Sequence, residues 1–231
     1  MLQLAGLFAA SWLLLGLFEK KRLAVLGLLP TTKRLKYFIT LFIVSAAIAT
    51  LAFLLRVYFV KEQYILNTTV NVKLILTETW HQIRTVLTEE LICRGALLYI
   101  LIKKAGQLKA ILISAVIFAA LHLTETSMWG NLPQMIMVLT FTFAMGLLLA
   151  YSYTRTLSLL MPFAIHFGWN LVQNFIFSGS TTGNHIFILS VPPPTVTISY
   201  LSFYTMLLLP KVAVIAVCYL ILKQYKQEKT L

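Results

Sequence analysis

The chain has 231 residues, of which 59% are hydrophobic and only 11% charged, with a mean hydropathy of +0.86. Soluble domains carry about a quarter charged residues, so composition excludes an ordinary soluble globule and a disordered tail. The net charge of +12 comes from 19 Lys and Arg against seven acids. The basic residues cluster at the ends of apolar runs rather than in a stripe interleaved with aromatics, which excludes nucleic acid as the partner.

Seven apolar runs approach the roughly 17 to 25 residues that a membrane span needs. In chain order they are 2–18, 37–60, 85–102, 108–124, 132–152, 157–178 and 200–222. The fold expected is an all-α, polytopic transmembrane helical bundle of about seven spans, six to eight, forming one integral membrane domain over 1–231. The first run is followed by Glu19, Lys20, Lys21 and Arg22 rather than preceded by charges. It reads as an anchor and not as a cleavable signal. The stretch 61–84 mixes apolar and polar residues and reads as an interfacial amphipathic helix. Pro192, Pro193 and Pro194 mark an extended loop between the last two runs.

Thirteen of the 19 basic residues fall on one side of this arrangement: Lys20, Lys21, Arg22, Lys33, Arg34, Lys36, Lys103, Lys104, Lys109, Arg155, Lys223, Lys226 and Lys229. The positive-inside bias makes that side cytoplasmic. The expected topology has the N-terminus outside and the C-terminus in the cytoplasm, in a bacterial cytoplasmic membrane.

All seven acids are Glu and the chain has no Asp, which excludes an aspartyl dyad and a Ser-His-Asp triad. No Gly-x-Ser-x-Gly occurs. Cys93 and Cys218 lie inside apolar runs without Cys-x-x-Cys spacing and read as packing residues. Ionisable groups within spans are costly and default to functional hypotheses. Three such groups stand out. Glu89 and Glu90 precede Arg94, and Glu90 and Arg94 share a helix face at i,i+4. Glu89 points about 100° away from Glu90, so one carboxylate can be tied by Arg94 while the other stays free. Phe118 and His122 share a second face, and His166 and Asn170 a third, extended by Gln173 and Asn174. Each group alone has a plain structural reading as an ion pair, an interfacial histidine or a helix–helix hydrogen bond. Together they place hydrogen-bonding side chains in one cavity within the bilayer.

The order Glu-Glu-x-x-x-Arg, Phe-x-x-x-His, His-x-x-x-Asn resembles that of the CAAX protease and bacteriocin-processing (CPBP, or Abi) family, over roughly residues 80–178. Members of that family are intramembrane endopeptidases. Eukaryotic members cleave prenylated CAAX termini, and prokaryotic members act in peptide maturation, bacteriocin self-immunity and sorting. By that resemblance Glu89 is the base that activates water and His122 positions it. His166 and Asn170 stabilise the oxyanion, and Glu90 and Arg94 support the site. The implied partner is a peptide or protein substrate entering from the membrane, within the lipid bilayer.

The implied chemistry is sound, since peptide hydrolysis needs a base for water and donors for the developing oxyanion. No cofactor is favoured. Zn or another divalent metal on Glu89, His122 and His166 is the competing reading, although His-Glu-x-x-His is absent and Asn is a poor zinc ligand. Two non-proteolytic readings stay open: a bacteriocin-immunity or peptide-binding membrane protein, and a small proton-coupled transporter subunit.

Overall fold

The computed structural model describes residues 2–124 and 129–226, which fold almost entirely into helix. The elements are α1 (Leu2–Glu19), α2 (Thr32–Val60), α3 (Val72–Arg94), α4 (Ala96–Ala105), α5 (Gln107–Leu121), α6 (Leu132–Thr156), α7 (Leu160–Leu171) and α8 (Tyr200–Lys223). Two three-residue strands, β1 (Tyr64–Leu66) and β2 (Phe187–Leu189), pair antiparallel with Ile65 opposite Ile188. α2, α3, α6 and α8 start at residues whose side chains cap them. Asn71 accepts from the Leu74 amide at 2.9 Å and Asn131 from the Gln134 amide at 3.1 Å, and Ser199 caps α8 in the same way.

Among the described residues, α1, α2, α6 and α8 are long and apolar enough to cross a membrane. The chain is an integral membrane protein of the all-α class. Two expectations are corrected. The run 85–102 is not one span, and 61–84 does not hold a separate interfacial helix: after β1, α3 begins at Val72 and runs unbroken to Arg94, and α4 starts at Ala96. The break falls at Gly95, where a Cβ would stand 2.3 Å from the Leu91 carbonyl oxygen. Only glycine fits that backbone. Glu89 and Glu90 therefore lie near the end of their helix, not near its start.

The two ends of the bundle differ chemically. At one end the Lys33 ammonium donates to the Lys226 carbonyl, Arg155 Nη2 to the Lys223 carbonyl at 3.2 Å, and Lys104 lies 3.9 Å from Glu19. The loop before α2 is stitched to the loop before α7 there by Ser158 Oγ donating to the Gly27 carbonyl at 2.6 Å. At the other end the β-pair joins Asn67, whose Nδ2 donates to the carbonyls of Gly183 and His185. Burial holds the His185 imidazole below its ordinary pKa, against the opposing pull of Glu78.

Close helix contacts set the interior. α7 lies along α2, and Ser45 Oγ donates to the Ile165 carbonyl at 2.6 Å. Gly168 makes this approach possible, since a Cβ there would stand 2.6 Å from the Phe42 carbonyl oxygen. Gly146 of α6 sits against Ala115 of α5, where a Cβ would meet the Ala115 Cα at 2.9 Å. The middle of α7 is consequently held by backbone-to-backbone packing and not by mobile side chains. Gly168→Ala is expected to push α7 off α2 at a cost of about 1–3 kcal/mol. Thermal unfolding of the purified variant in detergent checks this, and an unchanged midpoint would contradict the packing described.

Candidate active site

The site lies where α3, α5, α6 and α7 meet. Helix spacing brings Glu90 and Arg94 to one face of α3, and both side chains are fully buried. Arg94 Nη1 donates to Glu90 Oε1 at 3.0 Å, and Nη2 donates to the Gly146 carbonyl of α6 at 3.3 Å. The same Glu90 oxygen accepts from His166 Nδ1 of α7 at 2.8 Å. This oxygen ties α3 to α7, and Arg94 extends the tie to α6. A buried ion pair is stable only with such added hydrogen bonds; Glu90 Oε2 and Arg94 Nε are buried without one among the described residues.

Phe118 explains the second motif. Its ring receives the Arg94 guanidinium at 4.2 Å, an attraction between cation and ring face. The same ring packs edge-on against His122 at 4.8 Å and against His166 at 5.4 Å. His122 Nδ1 donates to the Phe118 carbonyl at 2.8 Å, which leaves Nε2 as the second ring nitrogen. His122 lies just past the end of α5. That helix has 15 residues, about 22 Å at 1.5 Å per residue. It is shorter than a hydrocarbon core of about 30 Å.

Glu89 points elsewhere, as its spacing requires. Its Oε2 lies 3.6 Å from His166 Nε2, is buried and has no hydrogen-bond partner among the described residues. The side chain keeps 25% exposure, against none for Glu90. Asn170 Nδ2 lies 3.1 Å from His166 Nε2. With Nδ1–H given to Glu90, Nε2 accepts from that amide when the ring carries one proton. Glu89, Glu90, Arg94, His166 and Asn170 are all in contact, and His122 joins them through Phe118.

A metal site on Glu89, His122 and His166 needs all three to converge. Among the described residues no three His, Cys, Asp or Glu side chains gather closely enough to hold a metal ion. His81 and His185 lie away from the site; His81 faces Arg84 Nη2 at 3.4 Å. Cys93 is buried in the core, and its carbonyl accepts from Ser114 Oγ at 3.0 Å.

Beyond Asn170 a cavity of about 430 Å³ opens between α2, α6, α7 and α8. Its lining includes Asn170, Gln173 and Asn174 of the polar stripe, together with Arg56 and Lys211. A five-residue π turn, Val172–Ile176, continues α7 here and rotates the stripe toward the cavity. Arg56 and Lys211 did not emerge from the motif reading. The signal was present, since each is a basic residue inside an apolar run.

Arg94→Met is expected to cost about 3–5 kcal/mol of stability, because it leaves Glu90 buried without its cation. The double variant Glu90→Gln with Arg94→Met should recover part of that loss in unfolding measurements. Equal stability of the single variant and the wild type would show that the pair is not the structural centre of the site.

Residues 72–172, a little under half of the chain, match the family model of Rce1-like type II CAAX prenyl endopeptidases. No curated protein and no solved structure matches. The matched segment runs from the start of α3 to the end of α7 and contains every residue of the three motifs. Over residues 72–172 the chain is thus similar to Rce1-like type II CAAX prenyl endopeptidases, the family that the order of its three motifs resembles.

Proposed function

We propose that the protein hydrolyses a peptide bond of a membrane-associated or exported substrate with a water activated by Glu89. One observation carries this reading above the others. Glu90 is wholly enclosed and gives Oε1 to Arg94 and His166, whereas Glu89, 3.6 Å from His166 Nε2, keeps a quarter of its side chain exposed and makes no hydrogen bond among the described residues. In this mechanism Glu89 takes a proton from the water, and the resulting hydroxide attacks the peptide carbonyl carbon. His122 orients the water through its free Nε2. Asn170 Nδ2 donates to the oxyanion, and His166 donates from Nε2 when its ring carries both protons. Glu89 then returns the proton to the departing amine. Glu90 and Arg94 position His166 and touch no reacting atom.

This route uses no metal. General-base catalysis contributes about 10²–10⁴-fold, so Glu89→Gln should lower the cleavage rate by at least about a hundredfold with unfolding unchanged. Peptide termini present in wild-type membranes and absent with Glu89→Gln identify the substrate, and the same peptide in proteoliposomes gives the rate. Full activity of the variant would end the proposal. Stoichiometric metal in active protein, together with chelator sensitivity, would replace it by the metal reading.

The orientation proposed places the basic end, with Lys33, Lys104, Arg155 and Lys223, in the cytoplasm. The His122 end of α5 and the β-pair then face outward. A cysteine at Thr182, in the exposed loop at the β-pair end, should react with a membrane-impermeant thiol reagent added outside intact cells. Labelling only after the cells are opened would reverse the topology.

A further inference from the structure

Lys211 is the ionisable residue that the hydrolytic scheme leaves unused. It sits in α8, eleven residues after Tyr200 and twelve before Lys223, about 16–18 Å from either helix end at 1.5 Å per residue. From there a lysine side chain cannot bring its ammonium to the membrane surface. Central cations are expensive and are found facing cavities or partner charges. Among the described residues no carboxylate pairs with Lys211. Its ammonium lies 5.4 Å from the centre of the Phe141 ring.

The neighbouring cation is already satisfied. Arg56 Nη2 donates to Glu62 Oε1 at 2.7 Å, and Glu62 Oε2 also accepts from the Tyr64 hydroxyl at 2.9 Å. Lys211 therefore supplies the uncompensated positive charge of the cavity whose other wall carries Asn170. Phe141 links the two sides, since it also packs on Trp169 at 5.3 Å. Pro210 has no amide hydrogen to give the Met206 carbonyl, and both residues line the same cavity. An apolar cleft of about 300 Å³ between α6 and α8 shares Phe141 and Lys211 with it. The combination is a cavity of mixed polar and apolar lining, with Lys211 as a cation that no carboxylate pairs among the described residues. Both Lys211 and Arg56 lie outside the segment that the family model matches.

We propose that Lys211 is a substrate-binding residue that receives a carboxylate of the peptide occupying the cavity next to Asn170. This deepens the hydrolytic reading and rests on it: a peptide anchored by its carboxylate at Lys211 lies with a backbone carbonyl toward Asn170 and His166. The chemical class expected of the ligand is an apolar peptide bearing one anionic group. An anionic lipid phosphate offers the same chemistry at Lys211 and is separated by the test.

The test uses full-length protein in detergent and two hydrophobic tetrapeptides, identical except that one ends in a free carboxylate and the other in an amide. Binding is followed by the shift in thermal unfolding. The acid should bind wild type about tenfold more tightly than the amide, the size of one charge-assisted hydrogen bond. Lys211→Met should abolish that preference and Lys211→Arg should keep it. No preference in the wild type, or a preference that survives Lys211→Met, would overturn the proposal. Native mass spectrometry supplies the other source: an anionic lipid lost on Lys211→Met, with neither peptide bound, would overturn it in favour of a lipid phosphate. Lys211-dependent binding of the acid without any cleavage would sustain the site while refuting proteolysis.

Discussion

A single carboxylate oxygen, Glu90 Oε1, accepts from Arg94 on its own helix and from His166 on another. Arg94 in turn reaches the Gly146 carbonyl and the face of Phe118. Four elements, α3, α5, α6 and α7, thereby share one charge-assisted network around two side chains with no solvent exposure. Such a network tolerates little rearrangement, because a group that loses its partner is left as an uncompensated buried charge. The glycines are part of the same constraint. Gly146 brings α6 close enough to α5 for its carbonyl to reach Arg94, and Gly168 seats α7 on α2 so that His166 meets Glu90.

This network also divides the labour between adjacent glutamates. The turn of about 100° per residue sends Glu90 into the network and Glu89 toward the cavity. Identical side chains acquire different surroundings: one wholly enclosed with Oε1 doubly bonded, the other a quarter exposed and bonded to no described residue. The short α5 completes the arrangement by placing His122 just past its end, against the Phe118 ring. The π turn after α7 opens the opposite side toward Asn174 and Gln173.

Much of this was legible before the fold was known, for reasons that can be stated. α1, α2, α6 and α8 are apolar around most of their surface, so hydropathy located them within a few residues. The three motifs survive as sequence because i,i+4 spacing encodes a shared face directly. α3 was misread because its polar residues, among them the buried Gln82 and Glu90, turn inward, and a hydropathy window cannot tell an inward polar face from water. The break at Gly95 was invisible for a related reason: glycine is common in membrane helices, and only the Leu91 carbonyl beside it reveals why a break falls there. Lys211 and Arg56 were set aside because they belong to no motif, although a cation at the centre of a span is itself a signal.

The claim on which the account turns is that Glu89 is available and Glu90 is committed. Carbodiimide labelling of the wild-type protein in its membrane, with the adduct mapped by peptide mass spectrometry, tests that division directly. The account predicts an adduct on Glu89, accumulating in step with loss of peptide cleavage, and none on Glu90. An adduct on Glu90 with Glu89 untouched would contradict it.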